Sequence, residues 1–336
     1  MNKSVLPLFR EVIGLGLIGL FFYLFLFIDF QNLSFDLPSE LLTVNTMFLS
    51  ILLEAIPFIL LGVFVSALIQ TFVSEDFIKR ALPKNALIAL LPAALLGAVF
   101  PVCECAIVPI VRRLIKKGMP LHLGVVFLVG APILNPIVFA STYYAFGEET
   151  HIAYARMGLA FVLSIIVGLI IYVIFKNQNQ VKIRKEILVG QLIDVAEEKS
   201  KMNKVKSTLF HASDEFFEMG KFLIFGAFIA SLFQTFLDRN VLTELGSNEL
   251  LSPAIMMGFG FILSLCSEAD AFVASSFGGT FTTGSLLAFL VYGPMLDLKN
   301  TIMLFAFFKT KFVIVFMVVV TVVVYLSTIA YQYYFL

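Results

Sequence analysis

All three cysteines of this 336-residue chain sit at two places, Cys103 and Cys105 in the run PVCEC and Cys266 in SLCSEADA. At each place proline, or small polar and acidic residues, interrupts a long apolar stretch, which is where a membrane helix breaks. Thiolates select soft or borderline species such as zinc, copper(I) or trivalent arsenic. Cys103-x-Cys105 and Cys266-x-Glu268 share one spacing, so Cys103, Cys105, Cys266 and Glu268 together offer a metal or metalloid three sulfurs and one carboxylate. A single buried cysteine is most often a packing residue. The joint placement at two breaks is what points to ligation.

The acidic residues follow the same pattern. Glu104, Glu268, Asp270 and Asp297 fall at or beside breaks within apolar segments, and Asn135 matches Asp297, each beside a proline-containing turn. A charge at the bilayer centre costs about 2.5–3.5 kcal/mol on insertion scales, so each needs a partner or a task. Glu104 and Glu268 are expected to bind solute, and Asp270, Asn135 and Asp297 to line its path. Glu54 and Glu218, on the helices that open the two halves, are candidates for proton coupling; the plainer alternatives are an interfacial position for either, or pairing of Glu218 with Lys221. His122, His151 and His211 lie near expected membrane edges and are not read as ligands.

These residues must be positioned by membrane helices. The chain is 60% hydrophobic and 14% charged, with a mean hydropathy of +0.98, far from the balance of a soluble domain. Its apolar runs exceed the roughly 20 residues that cross a bilayer, and they are continuous, which excludes an outer-membrane barrel. The expected class is an all-α polytopic membrane protein. The run at 12–30 reads as a first spanning helix rather than a cleaved signal. Net charge is zero and no basic block is interleaved with aromatics, so nucleic acid is not an expected partner. Walker A, dinucleotide and His-Glu-x-x-His motifs are absent from the sequence, and no base is paired with a cysteine, so the chain is not read as an enzyme and no cofactor is expected.

The second half restates the first. ILLEAIPFILLGVFVSALIQTF lies over FFEMGKFLIFGAFIASLFQTF, matching Glu54 with Glu218, Gly62 with Gly226 and Gln70 with Gln234; further on, Cys103 falls on Cys266 and Pro132 on Pro294. Residues 1–44 form an extra N-terminal helix and external loop, 45–175 the first repeat, 176–206 a charged cytoplasmic connector and 207–336 the second repeat. If all the basic clusters are cytoplasmic, residues 86–114 cannot span; they enter as one half-helix, break at Pro101–Cys105 and return, a re-entrant hairpin. Three crossings per repeat then make the repeats inverted, the plan of many secondary transporters. The N-terminus falls in the cytoplasm and the C-terminus outside.

PVCECAIVP followed by RRLIKKGMP and VGAPILNP is similar to the bacterial predicted permeases that include the ArsP-type organoarsenical efflux proteins. The resemblance spans nearly the whole chain and rests on Cys103, Cys105, Pro109, Pro132, Asn135 and Pro136. It implies a multi-pass permease of the bacterial plasma membrane, with export of trivalent organoarsenicals as the best-known activity. Glu104 departs from the pattern, since a small residue such as serine is expected between the cysteines of the arsenical exporters. A charge there suits a metal cation better than a neutral methylated arsenical. The expected function is therefore a secondary transporter for a thiophilic solute, a soft or borderline metal ion or a trivalent arsenical. The alternative is a membrane subunit or channel component working with an accessory protein, or as a homo-oligomer.

Overall fold

The computed structural model describes residues 39–72, 89–99, 104–147, 149–176, 178, 180–182, 204–236 and 250–335. The expected first helix at 12–30 lies outside them, as does Cys103. The first 42 residues form a separate unit of which only the opening turn of a helix is described.

Among the described residues the first half supplies α1 (Ser39–Phe72), α2 (Leu90–Val99), α3 (Glu104–Lys116), α4 (Leu121–Gly130), α5 (Pro136–Phe146) and α6 (His151–Phe175). The second supplies α7 (Lys204–Phe236), α8 (Leu251–Leu263), α9 (Asp270–Ser275), α10 (Thr283–Met295), α11 (Leu298–Phe307) and α12 (Thr310–Phe335). The order is the same twice: long, short, short, a helix broken into two, long. Four helices, α1, α6, α7 and α12, are long and apolar enough to cross a membrane. At 1.5 Å per residue the 26 residues of α12 reach about 39 Å, against a hydrocarbon core of about 30 Å. Their outward faces stay apolar, as lipid requires: Val318, Val322 and Leu326, one turn apart on α12, all point away from the core.

Packing also comes in pairs. Helix α4 packs on α2, α3 and α6 as α10 packs on α8, α9 and α12, and α5 meets α9 as α11 meets α3. The equivalent helices run in opposite directions. Phe48 meets Phe228 edge-on at 6.0 Å, Ser66 donates a hydrogen bond to Glu215 at 2.8 Å, and Thr71 shares one with Thr208 at 2.9 Å. Numbers rise along α1 as they fall along α7, so the two are antiparallel. The same holds for α6 and α12, where Phe175 packs on Phe312 at one end and Ile152 shares an apolar cluster with Tyr331 at the other. Two halves related in this way are inverted repeats.

One end of the molecule collects the basic residues. Arg112 lies over the Phe307 ring at 4.3 Å, Arg113 pairs with Glu215 at 3.2 Å, and Val181 forms an antiparallel bridge with Phe308, beside Lys182 and Lys309. Helix α2 opens at this end, beside Leu123, and α3 closes there at Arg113 and Lys116. The charges of α3 suit its dipole, with Glu104 in the first turn and the cations in the last. The α8–α9 pair does the opposite. Leu250 accepts from the Tyr325 hydroxyl, Ser252 from Ser285, and Phe277 and Phe281 pack with Ile152, all at the far end. Each pair therefore begins and ends on one side, and the two enter from opposite sides. Pro109, a residue type that breaks or kinks helices, lies inside α3 without ending it.

The matched glycines are contact points between helices. A Cβ on Gly62 would stand 2.5 Å from Ala106 Cβ and 2.7 Å from its Cα, where α1 crosses α3. On Gly226 it would stand 3.0 Å from Lys299 Cα, where α7 crosses α11. Small residues let membrane helices approach closely. Gly62→Ala is expected to lower stability by about 1–3 kcal/mol through overpacking against backbone, whereas Gly258→Ala, with nothing within 4 Å, should be neutral. Thermal unfolding of the purified variants in detergent checks the difference.

Candidate solute site at the helix breaks

Near the start of α3 and the breaks between α4 and α5, α8 and α9, and α10 and α11 stand Glu104, Arg156, Asp270, Asp297 and Lys299, whereas the buried Arg112 and Glu215 belong to the basic end. The centre of the first group is Lys299, near the start of α11 and fully buried. Its Nζ donates to the Ser264 carbonyl at 2.6 Å and stands 3.5 Å from Glu104 Oε1 and 3.6 Å from Asp297 Oδ2. Ser264 takes a left-handed conformation (φ 49) as the C-cap of α8, which turns its carbonyl towards Lys299 while its hydroxyl accepts from the Leu298 amide at 3.1 Å. Cys105 and Cys266, one from each half, are both buried, and both lie in electrostatic range of the Lys299 ammonium.

The second group centres on Arg156, buried in α6. It donates to Thr142 Oγ1 at 2.7 Å, to Asp270 Oδ2 at 2.8 Å and to the Ser267 carbonyl at 3.1 Å. The two ion pairs are reciprocal. Glu104 opens α3 and is met by a cation from the second half; Asp270 opens α9 and is met by a cation from the first. Each half thus holds the tip of the other's short-helix pair.

The expected site residues are placed as follows. Asp270 is consumed by Arg156. Asn135 and Asp297 do matching work: Asn135 Oδ1 accepts from the Val138 amide at 2.9 Å and Asp297 Oδ1 from the Asn300 amide at 2.6 Å, capping α5 and α11 as they restart after their breaks. Asp297 keeps its second oxygen for Lys299; Asn135 has no charge to offer. Glu268 is half-buried, forms no ion pair among the described residues, and lies in electrostatic range of Glu104 and Arg156. Glu54 faces outward on α1, in range of Cys266, and the side chain of Glu218 lies outside the described residues. Among the described residues no three His, Cys, Asp or Glu side chains stand together as metal ligands; Cys103, the third sulfur of the expected set, is not among them.

Sequence reasoning missed Lys299, Arg156 and Glu215. The signal was there for the first two: Arg156 interrupts the apolar run of α6 and Lys299 lies two residues after Asp297, so both were cations inside apolar segments that also needed acidic partners. Glu215 accepts from Ser66 and Arg113, tying α1, α3 and α7 together at the basic end. Gln234, matched in sequence by Gln70, donates to the carbonyl of Leu263, which the end of α8 leaves without a helical donor.

Antiparallel repeats, an apolar outer surface and charged breaks at the centre define an all-α polytopic membrane protein. The chain belongs to the predicted permease family, whose profile, ArsP_1, matches residues 40–333. It is 49% identical over 290 residues to UPF0718 protein YcgR of Bacillus subtilis (strain 168), covering 85% of this chain and 96% of that protein. It is 40% identical over 280 residues, 83% of this chain and 92% of the relative, to a Streptococcus mutans protein named putative two-component membrane permease complex subunit. UPF0718 protein MJ0584 of Methanocaldococcus jannaschii is 30% identical over 114 residues, 33% of this chain and 31% of that protein. No solved structure matches.

Proposed function

We propose that this permease is a secondary transporter that moves a thiophilic solute, a soft or borderline metal ion or a trivalent arsenical, through the breaks where its two halves meet. The observation that carries this reading is that buried Cys105 from one half and buried Cys266 from the other both lie in electrostatic range of Lys299, beside the central carboxylates. Sulfur from both halves gives a solute ligands that separate when the halves move apart, which is what alternating access from inverted repeats requires. Cys103 would add a third sulfur and Glu268 an oxygen, since it alone of the central carboxylates makes no ion pair among the described residues. The buried acids Glu104, Asp297 and Asp270, with the half-buried Glu268, outnumber Lys299 and Arg156, a balance that favours a cation over an anion. Elemental analysis and calorimetry of the purified protein with zinc and arsenite test the reading: stoichiometric binding that vanishes when Cys105 and Cys266 become serine supports it, and binding of neither returns the thiols to packing.

The basic end faces the bacterial cytoplasm in this reading, by the charge bias of membrane loops. The α2–α3 pair is then a re-entrant hairpin from inside and α8–α9 one from outside, the six residues of α9 reaching only about 9 Å. Lys117→Cys should label with an impermeant thiol reagent only from the cytoplasmic side and Gly279→Cys only from outside, in a background without the native cysteines; labelling of both from one side would sink the hairpin assignment. A second reading, a membrane subunit that needs a partner, is favoured by the name of the Streptococcus mutans relative.

A further inference from the structure

The two buried cation centres differ in how completely their charges are paired. Arg156 is held at ordinary charge-assisted distances by a carboxylate, a hydroxyl and a carbonyl, all between 2.7 and 3.1 Å, with only its Nε and Asp270 Oδ1 left without a partner among the described residues. Lys299 is not. Its one short bond is to a neutral carbonyl, and both carboxylates stand back at 3.5 and 3.6 Å, beyond hydrogen-bond length. Glu104 is 1% exposed, yet among the described residues neither of its carboxylate oxygens has a hydrogen-bond partner, and Asp297 Oδ2 has none either. Such oxygens are costly in a membrane interior unless a further ligand engages them.

From this contrast we infer that Lys299 is the resident cation of the solute site: its ammonium offsets part of the charge of Glu104 and Asp297 while no solute is bound, and a solute cation binds by displacing it from them. The inference rests on the preceding reading, that the solute passes through these breaks, and adds the residue that sets the charge of the accepted solute. Geometry fits the role. Lysine carries a compact charge on a flexible stem with three rotatable donors, so the ammonium can swing away from the carboxylates while the Ser264 carbonyl still holds it. An arginine could not do so as readily, because its planar fork would close on a carboxylate as Arg156 does on Asp270. A neutral solute would gain nothing from Glu104 or Asp297 with the ammonium in place, so the arrangement selects for charge as the thiols select for softness.

Zinc binding to the purified full-length chain, measured by calorimetry, tests this. Lys299→Gln removes the competitor and leaves both carboxylates, so zinc should bind about tenfold tighter or more; unchanged or weaker binding overturns the inference. Should that variant fail to fold, Lys299→Arg decides: it keeps the charge but grips the carboxylates at hydrogen-bond distance, so zinc should bind about tenfold more weakly, and wild-type affinity would overturn the inference. Cys105→Ser/Cys266→Ser separates this inference from the reading beneath it. Zinc that still binds the serine variant, while Lys299→Gln binds it more tightly, defeats sulfur ligation and leaves the lysine standing. No zinc binding by wild type and Lys299→Gln alike defeats both.

Discussion

Replacing Arg156 with alanine is expected to destabilise the folded protein by about 3–5 kcal/mol, which is the cost of leaving one member of a buried ion pair without the other. The guanidinium is fully buried and is bound on three sides, by Thr142 of α5, by Asp270 of α9 and by the Ser267 carbonyl in the break between α8 and α9. Its removal leaves the Asp270 carboxylate, whose other oxygen already lacks a partner, with no cation in reach at hydrogen-bond distance. It also frees the tip of the α8–α9 pair from the first half, because this is the bond by which α6 holds it. Arg156→Lys should recover part of the loss, since an ammonium can reach Asp270 but cannot also bind Thr142 and Ser267 in the same fork geometry. Arg156→Met with Asp270→Leu should recover most of it, because a buried pair replaced by apolar residues of similar size is often no less stable. Thermal unfolding and size-exclusion profiles in detergent read the series. Arg156→Ala that unfolds at the wild-type temperature would show that the pair does not hold the halves together.

The second large effect is on transport. Cys105→Ser and Cys266→Ser are each expected to reduce flux of zinc or arsenite by more than the roughly 10–100-fold that changes behind a metal's direct ligands cost. A serine hydroxyl keeps the size of the thiol but is a hard, neutral donor that a soft solute does not favour. Both thiols are buried, so each serine hydroxyl should also cost about 1–3 kcal/mol of stability unless it finds a hydrogen-bond partner. The two effects should be of similar size, because Cys105 and Cys266 both lie in electrostatic range of Lys299. A large loss from one and none from the other would assign the site to one half and set the symmetric reading aside. Vesicle flux assays at matched expression read both variants.

Much of this architecture could be read from the residues. Gly62 with Gly226 and Pro132 with Pro294 marked two copies of one unit, because glycines at crossings and prolines near breaks leave local signatures that apolar substitution does not erase. The breaks were legible for the same reason: Gly130-Ala131-Pro132 and Asn135-Pro136 cannot continue a helix, and the structure ends α4 at Gly130 and restarts α5 at Pro136. The role of Asn135 was half legible. A capping residue and a solute contact both call for a polar side chain beside a proline, and only the hydrogen bond to the Val138 amide separates them. The charged centres were not legible as partners. Glu104 meets Lys299 and Asp270 meets Arg156 across more than a hundred residues of sequence, and nothing local says which acid answers which cation. Pro109 was ambiguous from sequence: proline argues for a break or a kink, and α3 continues through it where neighbouring helices hold the segment in place.

The central claim is that the solute crosses at the breaks on ligands drawn from both halves, and the most direct test is flux of zinc and arsenite into proteoliposomes that contain this chain alone. The wild-type chain is predicted to carry at least one of the two, and the variant with Cys103, Cys105 and Cys266 all changed to serine is predicted to fall to the protein-free background. Equal flux through wild type and the serine variant would contradict the account, by showing that the sulfurs are packing residues and the path lies elsewhere.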